Sequence, residues 1–310
     1  KRLQITRLRK FLSRVGTSVP HYRELFSNLG FTPATVTSVQ DLQRLPLTGK
    51  ADIRLNTARL LAENAGKMER FTTGGSSGEP LIFYRGKERV SHDVAAKWRA
   101  TRWWHVDIGD PEIVVWGSPI ELGSQDRIKL VRDFILRTEL LSAFEMSDAN
   151  LHRFIQRIRN RRPRMLFGYP SSLALLADFA QRHGCRVDDL GIKVIFVTSE
   201  SLYGYQRTAI ESVFGAPVAN GYGGRDAGFI AHECPHRAMH VTAEDIIVEI
   251  VDPDGRVLPA GEKGEIVVTH MSTADFPFIR YRTGDIGSLS AESCTCGRGL
   301  PILAEIEGRT

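Results

Sequence analysis

A chain of 310 residues with 42% hydrophobic and 25% charged side chains has the composition of a folded globular protein and excludes a disordered or fibrous one. Its 41 basic against 36 acidic residues leave a formal charge of +5, which favours anionic ligands without demanding a nucleic-acid backbone. Four cysteines are too few for a disulfide scaffold, and no apolar run reaches the roughly 18 residues that span a bilayer. A soluble, cytoplasmic protein with no membrane and no nucleic-acid partner is expected.

The first residue is Lys1 rather than methionine, which leaves room for further N-terminal sequence, and the basic start KRLQITRLRKFL lacks the apolar core and cleavage site of a signal peptide. Leu3, Ile5, Leu8, Phe11, Leu12 and Val15 make a helical stripe that Gly16 is expected to end. HYRELFSNLGF and DLQRLP continue this helical, loop-rich entry segment to about residue 70. ERFTT and LIFYR then read as short strands on either side of GGSSGEP. From HDVAAKWRATRWW onward, helical and strand-like runs alternate. EIVVWG, RMLFGY and IKVIFVTS are the apolar strands. DANLHRFIQRIRN, SSLALLADFAQRHG and LYGYQRTAIESVFG are the helices, the last two closed by Gly184 and Gly215. The alternation predicts an α/β sheet covered by helices over about 71–240. Beyond about 241, DIIVEIV, EIVVTHM and FPFIRYR are strands joined by DPDG and AGEKG turns, which predicts a small β subdomain to residue 310.

Four segments carry chemistry. Thr73, Gly74, Gly75, Ser76, Ser77 and Gly78 form a hydroxyl- and glycine-rich loop suited to phosphate oxygens, although Glu79 and Pro80 lead into a strand and exclude a Walker A loop. Asn220, Gly221, Tyr222, Gly223, Gly224, Arg225 and Asp226 follow an apolar strand. There the tyrosine offers a face for a planar base, and Asp226 a hard oxygen for Mg²⁺. Asp285 follows a tight glycine turn in Tyr281-Arg282-Thr283-Gly284-Asp285, where a carboxylate can accept both hydroxyls of a ribose. Glu307-Gly308-Arg309 lies near the end of the sequence. Cys294-x-Cys296 and Cys234-x5-His240 supply a Cys₃His set that fits structural zinc, with His236 as the competing histidine. Cys185 reads as a free structural thiol. Tyr169, Pro170, Ser199 and Glu200 follow strand ends, where ligands collect in open α/β sheets, and Trp116 ends another strand. Trp98, Trp103, Trp104 and Trp116 read as core residues, His105 as a surface or capping residue. Arg153, Arg157, Arg159, Arg161, Arg162 and Arg164 read as a solvated helix face and its exit.

In this order and spacing, FTTGGSSGEPLIF, FGYPSSL, VTSESL, NGYGGRDAG, GEKGEIVVTH, FPFIRYRTGDIG and CTCGRGLP…IEGR resemble the adenylate-forming superfamily, most closely its phenylacetate–CoA ligase and CapK-like family. The resemblance covers nearly the whole chain. It implies the large N-terminal domain of such an enzyme: layered α/β subdomains plus a small β-barrel-like subdomain, ending at the hinge to a mobile C-terminal domain that is absent. It further implies activation of a carboxylic acid, an aromatic acid first, by ATP to an acyl-adenylate, followed by transfer to CoA. Transfer to a carrier-protein thiol or an amine is the alternative, and so is a non-catalytic nucleotide-binding relative. The implied roles are triphosphate binding at Thr73, Gly74, Gly75, Ser76, Ser77 and Gly78, with Thr73 and Asp226 as catalytic residues. Adenine is implied at Asn220, Gly221, Tyr222 and Gly223, with Glu200 near adenine or the acyl group. Asp226 is implied for Mg²⁺, and Asp285 and Arg309 for the ribose. Trp116, Tyr169, Pro170 and Ser199 would line the acyl pocket. The pattern also implies Cys234, His240, Cys294 and Cys296 for zinc, and a homodimer. Two departures stand out: Glu79 occupies a position where the family's loop commonly carries a lysine or threonine, and Asp226 is one methylene shorter than the usual glutamate.

Overall fold

The computed structural model describes residues 2–72, 80–117 and 127–309. Helix α1 (Arg2–Ser18) buries Leu8, Phe11, Leu12 and Val15 as the stripe predicts. It does not stop at Gly16. That glycine is a packing position, because a Cβ there would lie 2.8 Å from the Phe26 ring. The helix instead ends where Pro20 opens α2 (Pro20–Asn28) with the ring at a position whose N–H needs no helical partner. Two short 3-10 turns, Pro33–Thr35 and Val39–Arg44, lead to α3 (Lys50–Asn56). Its start is closed by the Asp52 carboxylate, which accepts the Gly49 N–H at 2.7 Å.

The remaining elements follow in chain order. They are β1 (Glu69–Thr72), β2 (Ile82–Arg85), α4 (Lys87–Arg102), β3 (Glu112–Trp116), α5 (Arg127–Ile135), β4 (Thr138–Ser142), α6 (Asp148–Arg161), β5 (Met165–Gly168), α7 (Pro170–Arg182), β6 (Val194–Thr198) and α8 (Gly204–Phe214). Only strands come after these: β7 (Val218–Gly224), β8 (Gly228–Glu233), β9 (Met239–Val241), β10 (Ile246–Val251), β11 (Gly264–His270), β12 (Phe278–Leu289) and β13 (Ile302–Arg309).

Two compact units emerge. One gathers Lys1–Lys97, Gly223–Ala231 and Ala238–Thr310; the other gathers Trp98–Tyr222 and His232–Arg237. In the first, β1 and β2 form an antiparallel pair, and β10, β11, β12, β13 and β9 pair antiparallel in that order. In the second, β4, β3, β5, β6 and β7 pair parallel in that order. Every residue of β5 and β6 is buried. This accounts for their unbroken apolar sequences, since a parallel strand is covered on both faces. Leu151, Phe154, Ile155 and Ile158 of α6, Leu173, Leu176 and Phe179 of α7, and Ile210 and Phe214 of α8 close over Ile113, Leu166, Ile195 and Val218 in one core. Each such side chain contributes roughly 1.5–3 kcal/mol of burial. Trp104 joins the buried set, whereas Trp98, Trp103 and Trp116 are half-buried. His105 is exposed in a left-handed turn, and the arginines of α6 face outward, Arg157 and Arg161 pairing with Glu139.

Candidate active site

In the parallel unit the strand ends are in register: Val115 lies beside Gly168, Gly168 beside Val197, and Val197 beside Asn220. The residues that follow these positions therefore leave the sheet at one edge, the carboxyl edge where open α/β sheets bind ligands. Trp116 and Tyr169 meet there as a stack, with ring centroids 4.1 Å apart and planes 14° from parallel. Gly168 permits the approach, because a Cβ on it would lie 2.6 Å from the Val115 carbonyl oxygen. Pro170 then starts α7 directly behind the stack. Ser199 turns the chain at φ 71°, a left-handed conformation that costs a non-glycine residue on the order of 1–3 kcal/mol. Glu200 follows, exposed, with Oε2 accepting the Ser171 N–H at 3.2 Å, so the ends of β6 and the start of α7 are joined.

Strand β7 carries Asn220, Gly221 and Tyr222. Thr198 Oγ1 donates to the Gly221 carbonyl at 2.8 Å, and a Cβ on Gly221 would lie 3.2 Å from the Phe196 ring. The Asn220 N–H donates to Glu233 Oε2 at 2.7 Å, and Arg207 Nη2 holds both oxygens of the same carboxylate at 3.0 and 2.9 Å. Tyr222 is half-buried at the end of this braced segment. Glu233 and Arg207 carry no motif signal, since a lone glutamate and arginine 26 positions apart are invisible as a pair until the chain folds.

Asp226 and Asp285 belong to the first unit. Gly223 packs so tightly that a Cβ would lie 2.0 Å from the Gly228 carbonyl oxygen. Asp226 is buried; its Oδ1 accepts the Ala227 N–H at 2.9 Å, its Oδ2 the Tyr281 hydroxyl at 2.6 Å, and its carbonyl the Arg89 guanidinium at 3.0 Å. A carboxylate has about four acceptor positions, so each oxygen keeps one for a cation. The carboxylate therefore fits as one hard ligand for Mg²⁺, with nucleotide oxygens completing the shell. Asp285, half-buried, follows the Gly284 turn at φ 81°. Its N–H donates to Thr283 Oγ1 at 3.1 Å, and it lies across the β12–β13 ladder from Arg309. Thr73, Gly74, Gly75, Ser76, Ser77 and Gly78 lie outside the described residues.

In the first unit His240, Cys294 and Cys296 each offer one ligand atom within 4.8 Å of the others. Cys234 and His240 are fully buried, and Cys296 Sγ lies 3.2 Å from His240 Nε2. These nitrogen and sulfur donors are the ligand types of a structural zinc site. His236 is exposed, which leaves His240 as the histidine of the group.

A second histidine group has no counterpart in the sequence motifs. His92 and Asp93 of α4 meet His270 of β11, with ligand atoms within 4.8 Å and the two imidazole centroids 4.6 Å apart. Arg89 Nε occupies both Asp93 oxygens at 3.1 and 2.9 Å, and the Ser272 N–H donates to His270 Nδ1 at 3.3 Å. Burial, reinforced by the charges of Arg89 and His92, holds His270 well below the ordinary imidazole range. The Arg89 guanidinium, already paired with Asp93, opposes a second cation beside it, so this group is an ion-pair knot.

The family model described as AMP-binding enzyme matches residues 140–275, which include Tyr169, Ser199, Glu200, Tyr222 and Asp226. The chain is 26% identical to a phenylacetate–coenzyme A ligase of Thermus thermophilus, covering 99% of this chain and 70% of that protein. It is 24% identical to protein CapK of Staphylococcus aureus, covering 94% of this chain and 63% of CapK. A solved 2-hydroxyisobutyryl-CoA ligase, crystallised with 2-HIB-AMP and CoA, superposes with a TM-score of 0.82 at 23% identity over 99% of this chain and 67% of that one. The chain is thus similar nearly end to end to phenylacetate–coenzyme A ligases and to CapK, and its residues 140–275 match the AMP-binding enzyme family.

Proposed function

We propose that the protein activates a carboxylic acid with ATP as an acyl-adenylate and passes the acyl group to CoA. The observation that carries this reading is the alignment of Trp116, Tyr169, Ser199, Glu200 and Asn220 at the carboxyl edge of one parallel sheet, within a chain similar to phenylacetate–coenzyme A ligases. A carboxylate is a poor electrophile. Its oxygen attacks the α-phosphorus of ATP, the bond to the β-phosphate oxygen breaks, and pyrophosphate leaves. The thiolate of CoA then attacks the acyl carbon and AMP leaves with the former carboxylate oxygen, the thiol proton passing to solvent. The site's contribution is to hold the reactants in line and keep them from water.

In this reading the stacked Trp116 and Tyr169, with Pro170 and Ser199, form the wall of an acyl pocket, and the flat indole–phenol stack favours an aromatic acid. Tyr222 stacks on adenine between Asn220, Gly221 and Gly223, with Glu200 at the rim. Asp285 accepts the ribose hydroxyls, with Arg309 beside it. Thr73, Gly74, Gly75, Ser76, Ser77 and Gly78 cradle the phosphates. Asp226 holds Mg²⁺, which when bound neutralises charge on the phosphate oxygens. Cys234, His240, Cys294 and Cys296 hold a structural zinc. We further propose about 1–70, 71–240 and 241–310 as the functional segments, a cytoplasmic location and a homodimer. A carrier-protein thiol or an amine is the competing acceptor.

Carboxylate-dependent ATP–pyrophosphate exchange by the full-length protein across an acid panel tests activation, with aromatic acids expected first. ATP binding without exchange for any acid would make the protein a nucleotide-binding relative. Loss of free CoA thiol tests the acceptor. Elemental analysis should find about one zinc per chain, and chelation should lower the unfolding temperature. Metal-free protein of unchanged stability would remove the zinc.

A further inference from the structure

The Asp226 carboxylate is short for its position, buried, and reached from two other elements. Tyr281, fully buried in β12, donates its hydroxyl to Oδ2 at 2.6 Å. Its ring is fixed edge-on against Phe278, with centroids 5.0 Å apart and planes at 84°. Arg89, 2% exposed on α4, donates Nη1 to the Asp226 carbonyl and is itself held by Asp93. The backbone and one carboxylate oxygen of Asp226 are thus both anchored by buried donors. Such donors leave the side chain almost no rotational freedom, and an O–H···O⁻ bond at this distance belongs to the strong, charge-assisted class.

From this geometry we infer that Tyr281 is a positioning residue for the proposed nucleotide–metal site. Its hydroxyl aims the shortened Asp226 carboxylate so that the oxygen positions left open face the cation, replacing the reach that the longer glutamate supplies in relatives. Two features support the assignment over a purely structural bond. The hydroxyl is delivered from a different strand, 55 residues away, to the one acidic side chain of the Gly223-Gly224-Arg225-Asp226 turn. The tyrosine also stands directly before the Gly284 turn that presents Asp285, so one strand orients both carboxylates assigned to the nucleotide.

The inference rests on the reading of Asp226 as a metal ligand, and the test separates the two. Mn²⁺ binding to the full-length protein with saturating ATP is followed by electron paramagnetic resonance for wild type, Y281F, D226N and Y281F/D226N, with ATP affinity in EDTA measured alongside. Tyr281→Phe keeps the ring and its packing, so the fold survives. The expected result is a roughly tenfold rise in half-saturating Mn²⁺ for Y281F, the size of a lost hydrogen bond to a charged group. No further rise is expected when Y281F is added to D226N, and ATP affinity in EDTA should be the same for all four proteins. A Y281F effect that is absent, equal in both backgrounds, or matched by an equal loss of ATP affinity in EDTA overturns the positioning role. Unchanged Mn²⁺ binding in D226N overturns the metal role of Asp226 itself.

Discussion

Glu233 is the side chain on which Asn220 of β7 leans. Its carboxylate is nearly buried and accepts three bonds: two from Arg207 and one from the Asn220 N–H. Glu233→Ala removes all three acceptors at once. Breaking a buried ion pair from one side costs about 3–5 kcal/mol. Arg207 is 18% exposed and keeps its bond to the Val218 carbonyl, so water recovers part of that loss. The orphaned Asn220 N–H adds about 1–3 kcal/mol. Together these place E233A about 3–5 kcal/mol below wild type. Glu233→Gln retains a carbonyl for Asn220 and one contact to Arg207, and should cost about 1–2 kcal/mol. Urea unfolding followed by tryptophan fluorescence is the assay, because the Trp104 indole donates to the Glu233 carbonyl at 3.1 Å and reports locally. ATP affinity of E233A measured well below its transition should also fall, since Asn220 loses its tether. An E233A protein within about 0.5 kcal/mol of both E233Q and wild type would refute the reasoning.

Three further outcomes are expected. Gly223→Ala should lower stability sharply and abolish ATP binding, because the new Cβ would meet the Gly228 carbonyl at 2.0 Å and backbone must move; thermal unfolding and nucleotide titration check it. The unfolded chain takes up a proton on His270 near pH 6.5 while the buried, folded imidazole stays neutral to much lower pH. Folding stability should therefore fall as pH drops below about 6.5, and His270→Gln should flatten that slope in urea titrations. Asp285→Ala should erase discrimination between ATP and 2′,3′-dideoxy-ATP in binding assays, whereas equal discrimination in wild type and variant would remove Asp285 from the ribose.

Much of this protein is legible in its sequence, for physical reasons that act locally. Period-3.6 stripes marked α1 and α6, unbroken apolar runs marked β5 and β6, and left-handed glycines at 184 and 215 closed α7 and α8. Short-range glycine and tyrosine patterns marked the segment around Tyr222, and the spacing of Cys294 and Cys296 marked a pair that meets His240. Local rules failed at Gly16, where a partner ring from α2 decides what a glycine is for. They were also silent on the long-range polar pairs. Glu233 with Arg207, Asp226 with Tyr281, and Arg89 with Asp93 and His270 join residues whose spacing obeys no period. Burial, which spacing does not give, separates the exposed His236 from the buried His240. Sequence alone thus determined most of the elements and which residue types could bear chemistry, because propensity, periodicity and tight turns are properties of neighbouring residues. Only tertiary structure decided which buried donors brace the functional carboxylates, because a desolvated polar group must be satisfied by whatever the fold brings within about 3 Å of it.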